Sequence, residues 1–223
     1  MNVRRTLMAM YQAMRAKFGP RGWWPSTAGC RSPQGRLEIC LGAILTQNTS
    51  WSNVEKAVAN LITARRMSIS KLHALSHEAL AELIRPAGYF NVKARRLANF
   101  ITRVQERWGG DIEALLALPI SALREELLSV NGVGRETADS MILYAAGKPS
   151  FVVDAYTARI FVRHKLIGEE DDYETIKAFF ESHLPRDVPL WNDYHAQIVE
   201  TGKCYCKKPR PRCDDCPLRR FLK

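Results

Sequence analysis

One aspartate is placed where it could take part in catalysis. Asp154 closes a short apolar run and comes directly before a predicted helix. An Asp in that position is typical of a helix N-cap, whose carboxylate accepts hydrogen bonds from the first backbone N–H groups. The same bonds favour the ionised form. A fixed anion of this kind could stabilise a positive charge that develops during a reaction, or it could orient or deprotonate an attacking water.

A glycine-rich turn lies about twenty residues before Asp154, between two helical patterns. Asn131 and Gly132 predict a tight turn, and Gly134 is predicted to let the backbone approach a neighbour where any side chain would clash. The N–H groups that begin the next helix would favour an anion. An ordinary helix–turn–helix corner would show the same residues. The predicted core positions are Ile120, Leu123, Leu127 and Leu128 before the turn, and Ala138, Met141, Ile142 and Ala145 after it.

Cysteines form the other group of chemically active side chains. Cys204, Cys206, Cys213 and Cys216 are crowded together among prolines and basic residues. This density does not suit a core, whereas thiolates bind zinc and iron–sulfur clusters. The residues alone leave a cluster, zinc or no metal open. Cys40 instead lies on the apolar stripe of a predicted helix, so we interpret it as a core residue.

The elements that must position these groups are all predicted to be helices. Apolar residues recur at helical spacing along the chain, for example Leu37, Cys40, Leu41, Ile44 and Leu45, and no useful segment alternates as a strand would. We therefore predict an all-α fold with two helical subdomains. The first covers residues 35–150 and contains the turn at about 120–146. The second joins residues 1–34 to 151–223 and carries the cysteine-rich loop 202–217.

Composition indicates a polyanionic partner. The 223 residues include 33 Lys and Arg against 23 Asp and Glu, which gives a net charge of +10. No stretch approaches the length of about 18 apolar residues that a membrane span needs. We expect a cytoplasmic monomer with reduced cysteines, associated with the nucleoid in a bacterium or archaeon.

Two strings around the turn and the aspartate resemble a known signature. GVGRETA, followed by VVDAYTARIF, is similar to the helix-hairpin-helix plus Gly/Pro–Asp motif of the endonuclease III superfamily of DNA glycosylases. The resemblance implies that damaged double-stranded DNA is the partner and that Asp154 acts at the flipped-out nucleotide. It also implies that the hairpin residues Gly132, Val133, Gly134 and Arg135 grip a DNA phosphate.

Two further segments match the same superfamily. LGAILTQNTSW resembles the segment whose glutamine enters the gap left by the flipped nucleotide, which implies that role for Gln47. GYFNVKARRL resembles the loop that wedges the duplex open. By that match Tyr89 or Phe90 replaces lost stacking, Asn91 lies at the DNA, and Lys93 contacts a phosphate.

The residue after Gly134 and Arg135 bears on the reaction. Bifunctional members of the superfamily carry a lysine two places after the second glycine of the hairpin, and its amine forms a Schiff base with the sugar. This chain has Glu136 there, and a carboxylate cannot form a Schiff base. We therefore predict a monofunctional glycosylase in which water attacks.

The strings WWP, LTQNTSW and GRETAD resemble one branch of the superfamily, 3-methyladenine DNA glycosylase III. The resemblance implies that Trp24 and Trp51 sandwich an alkylated purine, whose positive charge favours indole faces. Pro25 and Glu136 would also border this base pocket, while Trp23 is predicted to cap the core. The alternatives are a glycosylase for oxidised or mismatched bases and a non-catalytic DNA-binding hairpin protein.

The cysteines follow the superfamily pattern only in part. Endonuclease III has Cys-x6-Cys-x2-Cys-x5-Cys around a [4Fe–4S] cluster. Cys206, Cys213 and Cys216 match the first three positions, but Leu222 occupies the fourth, and Cys204 is the available substitute. The resemblance implies a cluster on these four thiols that holds the basic loop for DNA, with zinc or no metal as alternatives.

Overall fold

The computed structural model describes residues 2–22 and 24–222. These residues form helices, turns and loops without a β-strand, which confirms the all-α prediction. No helix within these ranges is both long and apolar enough to cross a membrane. The α-helices are α1 (Val3–Phe18), α2 (Pro33–Leu45), α3 (Trp51–Thr63), α4 (Ile69–His73), α5 (His77–Leu83), α6 (Phe90–Trp108), α7 (Ile112–Ala117), α8 (Ile120–Leu128), α9 (Arg135–Ser140), α10 (Ala155–Arg163), α11 (Tyr173–His183) and α12 (Val188–Cys204).

The chain divides into two compact units. The central unit is Trp24–Lys148 and contains α2 to α9. The terminal unit combines residues 1–23 with 149–223 and contains α1 and α10 to α12. Three short helices complete the description: 3₁₀ turns at Arg85–Ala87 and Arg219–Phe221, and a π-helical turn at Met141–Ala145 that continues α9.

The central unit is built around α2. Every residue from 37 to 45 is buried, because this helix is apolar on all sides and is surrounded by other helices. Cys40 is fully buried there, which confirms that it is a core residue. The one acid in this stretch, Glu38, is also buried, and its carboxylate accepts hydrogen bonds from Ser26, Thr27 and Gln34.

The two helices of the hairpin follow the predicted core pattern except at two positions of α8, Ile120, which is half-buried, and Leu128. Leu123 and Leu127 are buried on α8, and all four predicted positions after the turn are buried. Leu128, however, is 37% exposed, so the prediction for this residue was wrong. It is the last residue of α8, and the chain turns away there into the glycine-rich segment.

In the terminal unit, α12 lies against α10 and α1. The approach of α12 to α10 depends on Gly202, because a Cβ at that position would overlap the ring of Tyr156. The hydroxyl of Tyr194, also on α12, donates to the carbonyl of Leu7 on α1 over 2.8 Å. These contacts fix α12 beside the start of α10, where Asp154 lies.

Candidate active site

Asp154 is the N-cap of α10, as the sequence predicts. Its Oδ1 accepts hydrogen bonds from the backbone N–H of Thr157 at 2.7 Å and from the hydroxyl of Thr157 at 2.8 Å. Its Oδ2 is not used by the cap and lies 3.7 Å from Nε2 of His195. One oxygen therefore fixes the carboxylate, and the other faces an imidazole.

The surroundings of Asp154 favour its ionised form. Burial by itself raises the pKa of this carboxyl, but the nearby imidazole of His195 and the two hydrogen bonds from Thr157 outweigh it and lower the pKa below its usual range. Asp154 is therefore an anion at neutral pH, as the proposed chemistry requires.

His195 is a site residue that the sequence did not reveal. It lies on α12 and is 6% exposed. No motif connects it to Asp154, and a lone histidine on a largely buried helix is ordinarily interpreted as a core residue. Only the close packing of α12 on α10 brings the two side chains together.

The turn of the hairpin is confirmed, but its two glycines have different roles from those predicted. Gly132 has φ +102°, and a Cβ there would overlap the side chain of Arg96. Gly134 has an ordinary extended φ of −91°, and a Cβ there would meet no heavy atom of the described chain within 4 Å. No described protein atom approaches Gly134 closely, whereas a close approach occurs at Gly132, against Arg96. The predicted neighbour of Gly134 is therefore not another part of the described chain.

This difference gives a matched pair of variants. Gly132→Ala should lower the free energy of unfolding by about 1–3 kcal/mol, because it forces a left-handed backbone on a Cβ residue and displaces Arg96. Gly134→Ala should change it by no more than about 0.5 kcal/mol. Urea unfolding of both variants measures the difference. Equal losses of stability in the two variants would contradict the conclusion that Gly132 is packed against Arg96 while Gly134 is open.

Helix α6 holds the hairpin from one side. The Asn99 side-chain amide donates to the carbonyl of Asn131 at 3.0 Å. One turn further on, the Arg103 guanidinium bonds to Glu126 and, at 2.9 Å, to the hydroxyl of Ser129. The hairpin is therefore fixed by side chains from a helix that is distant in sequence.

The amide of Gln47 is also bound to the hairpin. Its Nε2 donates to the carbonyl of Gly132 at 3.2 Å and to the hydroxyl of Thr137 at 3.0 Å, and its Oε1 accepts from Arg96. The side chain is half-buried. For Gln47 to enter a DNA duplex, as the resemblance implies, these three bonds must be exchanged for bonds to a base.

The predicted wedge loop, residues 88–97, exposes one aromatic ring. Tyr89 is 73% exposed and adopts a left-handed backbone with φ +47°, whereas Phe90 is half-buried under the guanidinium of Arg85. Asn91 is exposed. Of the two candidate wedge residues, Tyr89 is thus the one whose ring is accessible.

Lys93 is placed differently from its expected role at a phosphate. It is 2% exposed, and its ammonium donates to the carbonyl of Ala87 at 2.7 Å. Burial lowers the pKa of this amine to about 8, with a further contribution from the charge of Arg96. Lys93 holds the segment that precedes Tyr89 from the inside, and its ammonium is not exposed for a phosphate.

Trp24 and Trp51 lie together in the central unit, but not as a sandwich. Their ring centroids are 5.2 Å apart and the rings are nearly perpendicular, at 88°. Trp24 is buried, packs over Gly42 of α2, and also contacts the ring of Tyr144 at 5.3 Å. The structure therefore has an aromatic cluster of Trp24, Trp51 and Tyr144, without a slot between two parallel indoles.

The other predicted pocket residues are on the surface. Pro25 is exposed, and so is Glu136 in the first turn of α9. Arg135, the last of the predicted hairpin residues, is exposed beside Gly134, while Val133 is buried. Tyr144 belongs to none of the sequence motifs, so only the structure places it in the aromatic cluster. Trp23 lies outside the described residues.

Three of the four cysteines of the C-terminal loop line one pocket. Cys206, Cys213 and Cys216 face it together with Leu222, the residue at the family's fourth position. Burial raises the pKa of the Cys216 thiol, and the nearby thiols of Cys206 and Cys213 raise it further. Cys204 does not line the pocket, and its thiol donates to Glu200 at 3.4 Å. Within the described chain, no three His, Cys, Asp or Glu side chains are gathered closely enough to hold a metal ion.

The start of this loop is fixed to α10 by two arginines. Arg159 donates to the carbonyl of Cys206 at 2.6 Å. Arg163 donates to the carbonyl of Lys207 at 2.9 Å and lies 3.1 Å from the sulfur of Cys206. Helix α10, which is capped by Asp154 at its N-terminus, therefore holds the cysteine loop near its C-terminus.

The family model described as "HhH-GPD superfamily base excision DNA repair protein" matches residues 41–186, which include the hairpin and Asp154. The chain belongs to the HhH-GPD superfamily. It is therefore a DNA glycosylase of the base excision repair type, and the superfamily resemblance predicted from the sequence is confirmed.

Relatives of this HhH-GPD protein agree with that assignment. A protein of Methanocaldococcus jannaschii that is named as a DNA repair glycosylase is 45% identical over 95% of this chain and 93% of its own length. Endonuclease III of Thermotoga maritima is 31% identical over 82% of this chain and 80% of its own.

Two solved structures share the fold. H. pylori 3-methyladenine DNA glycosylase bound to 1,N6-ethenoadenine has a TM-score of 0.75 and 28% identity, over 91% of this chain and 98% of that chain. A trapped endonuclease III–DNA covalent intermediate has a TM-score of 0.81 at 21% identity, over 100% and 97%, which supports the fold alone.

Proposed function

We propose that this HhH-GPD protein is a monofunctional glycosylase that hydrolyses the N-glycosidic bond of alkylated purines in double-stranded DNA. The observation that carries the proposal is Glu136. It is exposed in the first turn of α9, at the hairpin position where bifunctional members have their Schiff-base lysine. A carboxylate at that place leaves water as the nucleophile.

Asp154 would supply the catalytic charge. Breaking an N-glycosidic bond leaves positive charge on the deoxyribose ring, and a carboxylate that is already fixed and ionised stabilises this charge without having to reorganise. Its Oδ1 is held by Thr157, so Oδ2 is the oxygen that can face the sugar or the attacking water. The alkyl group has already weakened the bond, so modest catalytic power is sufficient.

The aromatic cluster would recognise the base. An alkylated purine with a positive charge stacks on an indole more strongly than a neutral base does, by roughly 1 kcal/mol or more. Trp51 is half-buried and is the indole more open to such a ring. Because Trp24 and Trp51 touch edge to face, a sandwich would require Trp51 to turn aside. Glu136 and Pro25 would border the bound base.

The hairpin and the wedge loop would contact the DNA. Gly132, Val133, Gly134 and Arg135 present the start of α9 to a phosphate, with open space at Gly134. Gly134→Ala should therefore weaken DNA binding even though the fold is unaffected. Tyr89 would replace lost stacking beside Phe90 and Asn91, and Gln47 would enter the gap after its bonds to the hairpin are exchanged.

The direct test is base release resolved by product. We expect 3-methyladenine to be released from DNA treated with a methylating agent, and 1,N6-ethenoadenine from a defined duplex, each identified by chromatography. Duplexes with an oxidised pyrimidine or a G·T mismatch serve as comparison. Release from those duplexes alone would replace the proposal with the second candidate, a glycosylase for oxidised or mismatched bases, which the identity to the Thermotoga endonuclease III favours.

We also propose a [4Fe–4S] cluster in the pocket of the C-terminal loop. Three thiols, the ligand type that such a cluster takes, line one pocket at Cys206, Cys213 and Cys216, and Arg163 offsets charge at Cys206. They would have to draw closer together around the cluster, since they are not gathered into a metal site without it. Bound there, the cluster would cross-link a loop whose residues Lys207, Lys208 and Arg210 are exposed for DNA. Its task would be to hold this basic loop in place.

The purified protein should then contain iron and inorganic sulfide in equal amounts. Cys213→Ser should remove both, since one thiolate of the pocket is lost. Cys30→Ser is the matched control, because Cys30 is exposed and lies in the central unit, far from the loop in sequence. Zinc without sulfide in the purified protein would contradict the cluster.

A further inference from the structure

The pocket of the C-terminal loop has three thiols but needs a fourth ligand. Leu222 occupies the place of the family's fourth cysteine and cannot bind a metal. Cys204 is the candidate that the sequence offers, yet its thiol is turned to Glu200 and is not part of the pocket wall. A fourth protein donor would therefore have to be another residue around the same pocket.

His164 is such a residue. It follows α10 as its C-cap, is 5% exposed, and lines the same pocket as Cys206, Cys213 and Cys216. Its Nδ1 is buried and has no hydrogen-bond partner in the described chain. Buried polar atoms are rarely left unpaired in native proteins, so a buried nitrogen beside three thiols calls for an explanation.

The other contact of this ring agrees with a ligand role. Burial lowers the pKa of His164, and an interaction of the ring with the backbone of Phe221 opposes part of this shift. Histidines that bind metals almost always donate their second N–H to a carbonyl or carboxylate, which fixes the tautomer and orients the ring. If the ring donates its Nε2 N–H to Phe221 in this way, the lone pair lies on Nδ1, the nitrogen without a partner in the described chain.

We propose that His164 Nδ1 is the fourth ligand of the metal centre whose other ligands are Cys206, Cys213 and Cys216. This proposal rests on the metal centre proposed above. It gives His164 the place of the fourth ligand, for which the sequence offers Cys204. Three thiolates and one imidazole are an established donor set for structural metal sites, and imidazole also replaces thiolate on iron in some iron–sulfur centres.

The protons balance in this arrangement. On binding, the three thiols each release a proton to solvent, whereas the neutral imidazole binds through its lone pair and releases none. The guanidinium of Arg163, 3.1 Å from the Cys206 sulfur, offsets part of the thiolate charge. Binding transfers no electron to or from the protein, because the metal group keeps its oxidation state when the four ligands bind it.

Metal content of purified variants tests the proposal. Cys204→Ser should keep the full metal content of the wild type, and His164→Ala should lose most of it. Adding Leu222→Cys to His164→Ala should restore metal, because it supplies a thiolate at the family's position. Loss of metal in Cys204→Ser together with full metal in His164→Ala would overturn the proposal.

A measurement without substitution covers the case in which His164→Ala fails to fold. Wild-type protein is prepared with ¹⁵N-labelled histidine, and pulsed electron paramagnetic resonance is recorded on a paramagnetic state of the centre. Replacement of the ¹⁴N coupling of a directly bound imidazole by that of ¹⁵N is expected, and its absence would overturn the proposal. If the centre is zinc, Co²⁺ is substituted for it and the same coupling is sought.

These results also separate this proposal from the one it rests on. A wild-type protein that binds no metal at all would refute the metal centre and, with it, the ligand. A metal-loaded protein that depends on Cys204 and shows no histidine nitrogen would refute only the role of His164. Neither result decides whether the protein is a glycosylase, because base release by the wild type tests that proposal independently.

Discussion

Asp154→Asn is expected to reduce base release by about 100-fold or more, while DNA binding and stability stay close to those of the wild type. Asparagine is as good an N-cap as aspartate, so the bonds from Thr157 to the side-chain oxygen can be kept. What the substitution removes is the negative charge, which is the property that stabilises the developing positive sugar. Single-turnover release of 1,N6-ethenoadenine from a defined duplex, beside a binding assay, measures both quantities.

Asp172→Asn is the matched control. Asp172 caps α11 in the same unit, and its carboxylate accepts a hydrogen bond from the backbone N–H of Thr175 at 2.9 Å, as Asp154 does with Thr157. The same chemical change at that cap should leave base release unchanged. If Asp154→Asn behaves like Asp172→Asn, with base release and binding both intact, Asp154 is only a cap and has no part in catalysis. Wild-type protein that binds DNA but releases no base would instead favour the non-catalytic DNA-binding alternative.

The second large effect is expected in trapping with borohydride. Wild-type protein should form no covalent adduct with lesion-containing DNA, and strand cleavage should appear only after alkali, because Glu136 cannot form a Schiff base. Glu136→Lys should form a trapped adduct, since it places an amine where bifunctional relatives carry one. Glu136 is exposed, so the substitution should change stability little. Gel electrophoresis of the trapped products shows either outcome.

Two other lysines near the hairpin elements are poorly placed to replace the missing amine. Lys93 is buried against the carbonyl of Ala87. Lys148 donates to the carbonyls of Leu116 and Leu118. An adduct with the wild-type protein would show that an amine elsewhere in the chain reaches the sugar, and the monofunctional assignment would then be withdrawn.

Local patterns determined much of what the sequence predicts about this protein. Apolar residues at helical spacing predict α2 and the helices of the hairpin, because a helix shows its buried face as a period along the chain. The N-cap at Asp154 can also be predicted from local sequence, because a cap involves only one residue and the backbone N–H groups of the next three residues. The hairpin string and the Asp154 string are likewise short and contiguous, and both lie inside the region that the family model matches.

Tertiary structure decided what depends on residues far apart in sequence. His195 reaches Asp154 only because Gly202 lets α12 pack on α10. His164 lines one pocket with three thiols that follow it in the chain after two further helices, α11 and α12. The chain by itself could not show that Gly132, and not Gly134, is the glycine pressed against a neighbour. The close contact at Gly132 is made by Arg96 of a separate helix, α6. The spacing of residues along a chain shows which face of one helix is buried, but it does not show which side chains of two different helices meet.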